Sequence, residues 1–203
     1  PLCGVPEIGI GNKPIDGGNY LFKPEEKEAF LKLEPDAAPY FRRWIGSDEF
    51  INSIERWCLW LGDCSPEQLR QMPHALQRVE AVRDFRLASK SAPTRKLAAT
   101  PTRFHVENFP KSKFLVMPKV SSERRGFIPT GFMDQETMVS DLCFILPDAT
   151  TYHFGILTST MHMAWMRQVC GRLESRYRYS AGLVYNNFPW PEKPTAKQKA
   201  AVA

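Results

Sequence analysis

Four charged residues alternate with uncharged ones in the run that ends at Tyr179, namely Arg172, Glu174, Arg176 and Arg178. A period of two is the strand period, so an extended chain would present these four side chains on one face. A carboxylate beside guanidinium groups matches a C·G pair in the DNA major groove, because Glu accepts from cytosine N4 and Arg donates to guanine O6 and N7. The alternative is an edge strand whose charges pair with each other and with water.

A second set of groups suited to an anion lies in the segment 119–126. The hydroxyls of Ser121 and Ser122 precede Arg124 and Arg125, and the segment falls between two apolar, strand-like runs, so we expect a connecting loop. Hydroxyl and guanidinium donors together suit phosphate oxygens. The alternative is a solvated turn that contains a local Glu–Arg ion pair.

The positive charge of the chain is concentrated in its centre and its C-terminal part. The net charge is +5 overall, whereas residues 78–125 contain 12 basic and 4 acidic residues, and residues 151–203 contain 7 basic and 2 acidic residues. Such an asymmetry favours a polyanionic partner, of which nucleic acid is the commonest. An ordinary solvated surface is the alternative on composition alone.

Composition disfavours several other classes of protein. With 203 residues, 43% hydrophobic and 12% aromatic, the chain has material for one large or two small folded domains. Its apolar runs are shorter than the roughly 18 residues that a membrane helix needs, and its start lacks a signal-peptide pattern. Five scattered cysteines with no C-x-x-C pair disfavour a disulfide framework and a zinc site. We therefore expect a cytoplasmic protein with reduced thiols.

The sequence lacks the usual catalytic motifs. It contains no Asn-Pro-Pro-aromatic tetrapeptide, no G-x-S-x-G, no Walker loop and no metal-ligand spacing among its four histidines. This favours a binding module and predicts no catalytic, cofactor-binding or metal-binding residues. Two alternatives stay open: a small enzyme with an unfamiliar site, and a protein–protein interaction module with a basic face.

Periodicity and turn signals predict alternating short helices and strands. Pro24 begins one helix and Ser65, with Gln68 completing a capping box, begins another. The predicted helices cover about 24–33, 36–44, 66–88 and 152–171, with a further helical tail at 193–203 that has no partner face. The predicted strands are 57–61, 114–117, 127–128 and 142–146, and residues 89–103 are predicted to form a basic loop. The fold class is thus α+β, a mixed sheet of short strands with flanking helices.

Several runs of this sequence resemble one family. They are Asp16-Gly17-Gly18, Glu55-Arg56-Trp57-Cys58-Leu59-Trp60, Arg78-Val79-Glu80-Ala81-Val82-Arg83, Thr94-Arg95-Lys96-Leu97, Val120-Ser121-Ser122-Glu123-Arg124-Arg125, Met161-His162-Met163-Ala164-Trp165-Met166-Arg167, Tyr177-Arg178-Tyr179-Ser180 and Val184-Tyr185-Asn186-Asn187-Phe188-Pro189-Trp190-Pro191. The chain is similar to the target-recognition domain of MmeI-like (type IIL) restriction–modification enzymes and related adenine-specific DNA methyltransferases.

The resemblance implies a DNA target-recognition domain over residues 1–191 and the start of a C-terminal helical segment at 192–203. In that family a methyltransferase domain that uses S-adenosylmethionine precedes the recognition domain in the same polypeptide, often behind a nuclease. This chain lacks the Gly-rich cofactor loop, so the resemblance implies a recognition fragment that binds double-stranded DNA and is not itself catalytic.

The resemblance also implies site residues. Glu174 and Arg176 match the pair that reads one base pair, in agreement with the strand-face argument, and Arg178 together with Lys119 and Asp141 match other base-reading positions. The residues implied for contacts with the DNA backbone are Ser122, Arg124, Arg125, Arg95 and Lys96.

Overall fold

The computed structural model describes residues 1–202, which form short helices and three small sheets. In that range the α-helices are α1 (Pro24–Leu33), α2 (Ser47–Asn52), α3 (Pro66–Arg70), α4 (Pro73–Leu87), α5 (Ala92–Lys96), α6 (Thr151–Leu157), α7 (Thr160–Val169) and α8 (Ala196–Val202). The strands are β1 (Gly9–Ile10), β2 (Leu21–Phe22), β3 (Phe41–Ile45), β4 (Trp57–Leu59), β5 (Phe114–Pro118), β6 (Val120–Ser121), β7 (Gly131–Met133), β8 (Thr137–Val139), β9 (Cys143–Leu146), β10 (Gly171–Leu173) and β11 (Arg176–Arg178). Two 3₁₀ turns (Pro35–Tyr40, Leu97–Ala99) and a π-helical turn (Ala181–Tyr185) complete these elements.

The strands pair into sheets of mixed direction, which confirms the predicted α+β class. One sheet has the antiparallel order β1–β9–β5–β7, and a second has the order β2–β4–β3–β8, in which β3 and β8 run parallel. The third sheet, β10–β11–β6, is antiparallel. The segment 140–142 connects β8 of the second sheet to β9 of the first, and the Ser140 amide donates to the Ile45 carbonyl at 2.7 Å. This hydrogen bond continues the pairing of β3 with β8 into the segment that connects the two larger sheets.

Two main hydrophobic cores lie on either side of this connection. The N-terminal core packs the aromatic side chains of β2, β3 and α1 against α4. The C-terminal core packs β5 and β9 against α6, α7 and the tail around Trp190, and it includes Tyr177 and Tyr179. The third sheet is therefore anchored from one side, by Tyr177 of its central strand β11 and by Tyr179, which directly follows that strand.

The single helix predicted over 66–88 is instead two helices, α3 and α4. The capping box at Ser65 is present as predicted, but the helix stops before Pro73, which has no amide hydrogen to continue it. The Glu34 carboxylate accepts from the amides of His74 and Ala75 at 2.9 and 2.7 Å and so caps the start of α4. This long-range cap is not visible in the local sequence.

Three other predicted elements also differ from the structure. The helix predicted over 36–44 is a 3₁₀ turn followed by β3, because Pro39 cannot donate to a continuing α-helix. The strand predicted at 127–128 is absent from the described residues, where Phe127 is exposed in a bend. The helix predicted over 152–171 is divided into α6 and α7, since Ser159 caps a new helix by accepting from the His162 amide at 3.1 Å.

The C-terminal tail has a partner face, contrary to the expectation from its sequence. Helix α8 packs against α6 so closely that a Cβ atom at Gly155 would clash with the carbonyl oxygen of Val202. The last residue of the predicted segment 192–203, Ala203, lies outside the described residues. Within residues 1–202, no helix is both long and apolar enough to cross a membrane, and no group of three or more acidic, His or Cys side chains could hold a metal ion.

Arg86 on α4 is a fully buried arginine that holds the basic segment 89–103 in place. Its guanidinium uses five N–H donors, all on backbone carbonyls, at distances of 2.8 to 3.0 Å. The acceptors are the carbonyl oxygens of Pro14, Ile15, Leu97, Thr100 and Arg103. The predicted basic loop is thus an ordered segment containing α5 and a 3₁₀ turn, and one of the arginines counted in the basic stretch has a structural role.

A buried His–Tyr pair fixes the residue that follows β11. His162 on α7 is fully buried, and its Nε2 lies 2.9 Å from the hydroxyl of Tyr179. Burial lowers the pKa of His162 to about 4, because the charged imidazolium is poorly solvated there. The Tyr179 amide in turn donates to the Lys119 carbonyl at 2.8 Å. The pair therefore links α7 to both β11 and the chain before β6.

Replacing Arg86 with Met is expected to destabilise the fold by at least about 3 kcal/mol, because several buried carbonyls lose their donors at once. Arg86→Lys restores the charge but offers only three donors without the planar geometry, so we expect it to recover only part of the loss. Urea denaturation followed by circular dichroism measures both effects. Arg83→Met, at an exposed position of the same helix, is the matched control, and an equal loss for Arg83→Met would contradict the role assigned to Arg86.

Lowering the pH from about 6.5 to 4 is expected to reduce the free energy of unfolding through His162. The unfolded state, with an ordinary His pKa near 6.5, binds this proton more readily than the folded state, so stability falls as pH falls through this window. The shift corresponds to about 3 kcal/mol. Urea midpoints across this pH range should fall less steeply in His162→Gln than in the wild-type protein. His105→Gln, at an exposed position, should keep the wild-type profile; equal slopes in all three proteins would refute the assignment.

Candidate nucleic-acid interface

The charged run at 172–178 forms a tight β-hairpin, and the prediction of a single extended strand is wrong. Strands β10 and β11 are antiparallel, with Leu173 paired to Arg176 across a two-residue turn of Glu174 and Ser175. The chain reverses there because Glu174 adopts the left-handed conformation, with φ of +58°. Glycine or asparagine usually occupies such a position, so the turn had no clear signal in the sequence.

The reversal moves Arg172 to the opposite face from Arg176 and Arg178. Arg172 pairs with Tyr177, and residues paired directly across a hairpin share a face. Its guanidinium carbon lies 4.0 Å from the centroid of the Tyr177 ring, and its Nη1 donates to the Ser175 carbonyl at 3.2 Å. Arg172 therefore stabilises the turn from behind and does not belong to the expected four-charge face.

The outward face of the hairpin forms one wall of an open cleft of about 700 Å³. Leu173, Arg176 and Arg178 project from the hairpin into this cleft. The remaining residues around it are Ser47, Asp48, Ile51, Asn52, Lys119, Val120, Ser121, Ser122, Arg125, Asp141 and Leu142. The structure thus brings together six of the ten predicted site residues from three separate parts of the chain.

Backbone pairing sets the spacing of these groups. Strand β6 pairs with β11, placing Val120 opposite Arg178 and the buried Ser121 opposite Tyr177. Lys119 precedes β6, and its amide donates to the Leu142 carbonyl at 3.0 Å, next to Asp141. Besides Glu174 and Arg176, the resemblance implies three base-reading positions, namely Lys119, Asp141 and Arg178. These three residues lie on adjacent, hydrogen-bonded backbone segments.

Helix α2 forms the opposite wall of the cleft and was not predicted as part of the site. The hydroxyl of Ser47 donates to the Leu142 carbonyl at 3.0 Å and so fixes α2 to the segment that contains Asp141. Asp48 and Asn52 are exposed on this wall. Their acidic and amide character was visible in the sequence, but their position depends on the long-range pairing of β3 with β8.

Glu174 and Arg176 form an exposed ion pair at the rim of the cleft. The Arg176 Nη2 donates to the Glu174 carboxylate at 2.9 Å, and the Glu174 side chain is 77% exposed. An exposed pair of this kind contributes about 0–1 kcal/mol, so a competing hydrogen-bonding partner can replace it at small cost. Both groups are held close together and remain available to a ligand.

Lys119 and Asp141 are adjacent to each other but are not directly paired. Asp141 contacts Lys13 at 3.8 Å, and the Lys119 ammonium lies 5.2 Å from the centre of the Phe144 ring. Burial lowers the pKa of Lys119, although the Asp141 carboxylate acts in the opposite direction. The Lys119 ammonium is thus partly removed from water.

The other three predicted residues lie outside the cleft in the described part of the chain. Arg124 is a highly exposed side chain whose Nε lies 3.9 Å from the Glu123 carboxylate. Arg95 and Lys96 lie on α5, where the Arg95 guanidinium donates to the carbonyls of Ser89 and Lys90 at 2.8 and 2.9 Å. They belong to the segment that Arg86 organises, and their role in binding stays a prediction.

Comparisons with known proteins agree with one another. Residues 1–192 match the family described as "MmeI, target recognition domain". The chain is 41% identical over 198 residues to DNA methyltransferase A of Bacillus subtilis (strain 168). The aligned region covers 98% of this chain and 22% of that protein. It is 49% identical, with a TM-score of 0.96, to the type IIL restriction-modification enzyme MmeI solved in complex with DNA, covering 99% of this chain and 27% of that one. The chain thus spans about a quarter of the length of these relatives.

Proposed function

Because the chain belongs to the family of MmeI target recognition domains, we propose that it reads the sequence of double-stranded DNA for an adenine-N6 methyltransferase of a restriction–modification system. In this proposal the chemistry belongs to a methyltransferase domain elsewhere in the parent polypeptide, which binds S-adenosylmethionine. The target adenine leaves the duplex for catalysis, so a separate module has to hold and identify the DNA. The proposed location of the protein is the cytoplasm, where it would bind the DNA.

The single observation that supports this proposal best is the outward face of the hairpin. A two-stranded ribbon fits the major groove, which is about 12 Å wide, and this one presents a carboxylate and a guanidinium 2.9 Å apart. Glu174 would accept from cytosine N4 while Arg176 donates to guanine O6 and N7 of the same base pair. The exposed ion pair between them is weak enough to be exchanged for these contacts.

The other residues of the cleft have proposed roles that follow from their chemistry. Arg178, Lys119 and Asp141 would contact further base edges, since they line the cleft beside the hairpin. Ser122 and Arg125, near the end of β6, would donate to phosphate oxygens and set the register of the duplex. Outside the cleft, Arg124, Arg95 and Lys96 are proposed to contact the DNA backbone as well.

Duplex binding by this chain is expected to be tight at low salt and to fall steeply as salt is added. With about four phosphate contacts, log K should change with log salt with a slope of roughly −3 to −4. Fluorescence anisotropy with labelled duplexes measures the slope, and selection from a random duplex pool identifies the preferred sequence. Heparin as competitor separates this proposal from a protein-binding basic face, because heparin carries charge but no bases. The absence of duplex binding at 50 mM salt, or equal affinity for all duplex sequences, would count against the proposal.

Arg176→Lys is expected to keep the salt slope of the wild-type chain and to lose discrimination at one base pair. Lysine retains the charge but cannot donate in the bidentate geometry that guanine requires, and the loss should be about 1–3 kcal/mol for the preferred duplex alone. Glu174→Gln should relax the choice at the same base pair.

Arg125→Ala is the contrasting variant, because it should weaken all sequences alike and flatten the salt slope by about 0.9. Competition titrations with the four single-base variants at each position measure these effects. If Arg176→Lys and Arg125→Ala behaved identically, the assignment of base reading to the hairpin would be wrong.

A further inference from the structure

Leu173 is an apolar side chain on the face of the hairpin that is otherwise charged. It is 43% exposed, it is paired directly with Arg176, and it lines the same cleft as Arg176 and Arg178. The inward positions of the hairpin are occupied by Tyr177 and by Arg172, which stacks on it. Leu173 therefore has no part in the packing that anchors the hairpin.

Single exposed leucines are common on protein surfaces and carry no meaning alone. This one differs in its position, because the two-residue turn fixes it beside the guanidinium that would read a base pair. Paired side chains across a hairpin have Cβ atoms about 5 Å apart, which is between one and two base steps of about 3.4 Å. The Leu173 side chain would therefore contact a base pair one or two steps away from the base pair that Arg176 contacts.

We propose that Leu173 is a specificity-determining residue that contacts the C5-methyl group of a thymine within two base pairs of the pair read by Glu174 and Arg176. This inference rests on the proposed function. The thymine methyl is the apolar feature of the major-groove edge, and apolar side chains are the groups that recognise it. Binding would remove both the thymine methyl group and the Leu173 side chain from water. This burial gives the preference for thymine, since uracil and cytosine have no methyl group at C5.

The experiment changes the DNA before it changes the protein. The preferred duplex is first selected from a random pool with the 203-residue chain. Each thymine of that duplex is then replaced in turn by uracil, which deletes one methyl group and keeps every hydrogen-bonding group. Wild-type protein should bind one of these uracil duplexes about three- to fivefold more weakly, as expected for one buried methyl group. The affected position should lie within two base pairs of the pair at which Arg176→Lys loses discrimination.

Leu173→Ala should bind the thymine duplex more weakly and should bind the thymine and uracil duplexes equally well at that position. Leu173→Met keeps an apolar side chain of similar reach and should retain the preference for thymine. Leu33→Ala is the matched control, because Leu33 is a 67% exposed leucine at the end of α1 and does not line the cleft. It should keep both the affinity and the uracil sensitivity of the wild-type chain.

Each possible result decides the matter. A selected sequence without thymine within two base pairs of the Arg176 position, or equal wild-type affinity for all uracil duplexes, overturns the inference and leaves the proposed function intact. The same holds if Leu173→Ala stays as sensitive to uracil as the wild-type chain, because the methyl contact then belongs to another residue. Failure to select any sequence at all refutes the proposed function instead.

Discussion

Burial of Tyr177 in the C-terminal core is the contact on which the rest of the candidate interface depends. Tyr177 is the central residue of β11, and its ring packs in the core that β5, β9, α6 and α7 form. Side chains alternate along a strand, so when Tyr177 points inward, Arg176 and Arg178 must point outward. The hydrogen bonds of β11 to β6 then place Lys119 beside them. One buried ring therefore determines which charges of the hairpin face solvent.

Arginines in this chain have two distinct roles that their number alone does not reveal. Arg86 is fully buried and has all its donors on carbonyl oxygens, and Arg172 stacks behind the hairpin and supports its turn. Arg176 and Arg178 instead extend into an open cleft. Arg86 has no N–H donor left for a phosphate, so the effective positive surface is smaller than the charge count of the segment 78–125 suggests.

Local signals in the sequence predicted the parts of the fold that depend on neighbouring residues. Pro24 and Ser65 begin helices as expected, since a first-turn proline and a capping box act within one turn. The period of two at 172–178 predicted strand structure and solvent-facing charge, but it could not show the reversal at Glu174. Glu174 enters the left-handed region where β11 is anchored in the core through Tyr177 and β10 is hydrogen-bonded to β11.

The composition of the site was less predictable than its existence, for a related reason. Lys119 and Asp141 entered the prediction through family resemblance, because nothing in their own neighbourhoods relates them to the hairpin. Their proximity arises from the pairing of β6 with β11 and from the amide of Lys119 bound to the Leu142 carbonyl. The α2 wall was missed because its position depends on β3 and β8 running parallel across more than ninety residues of sequence.

This arrangement separates the residues that stabilise the domain from those that would select a sequence. Tyr177, Tyr179 and His162 are buried, so their replacement affects packing, whereas Glu174 and Arg176 are exposed and their mutual ion pair contributes little. Exposed positions usually tolerate substitution within about 0.5 kcal/mol of stability. The hairpin can therefore exchange its outward side chains for others while its inward side chains keep the same backbone geometry. A recognition surface built in this way can change its preferred base pair without first losing its fold.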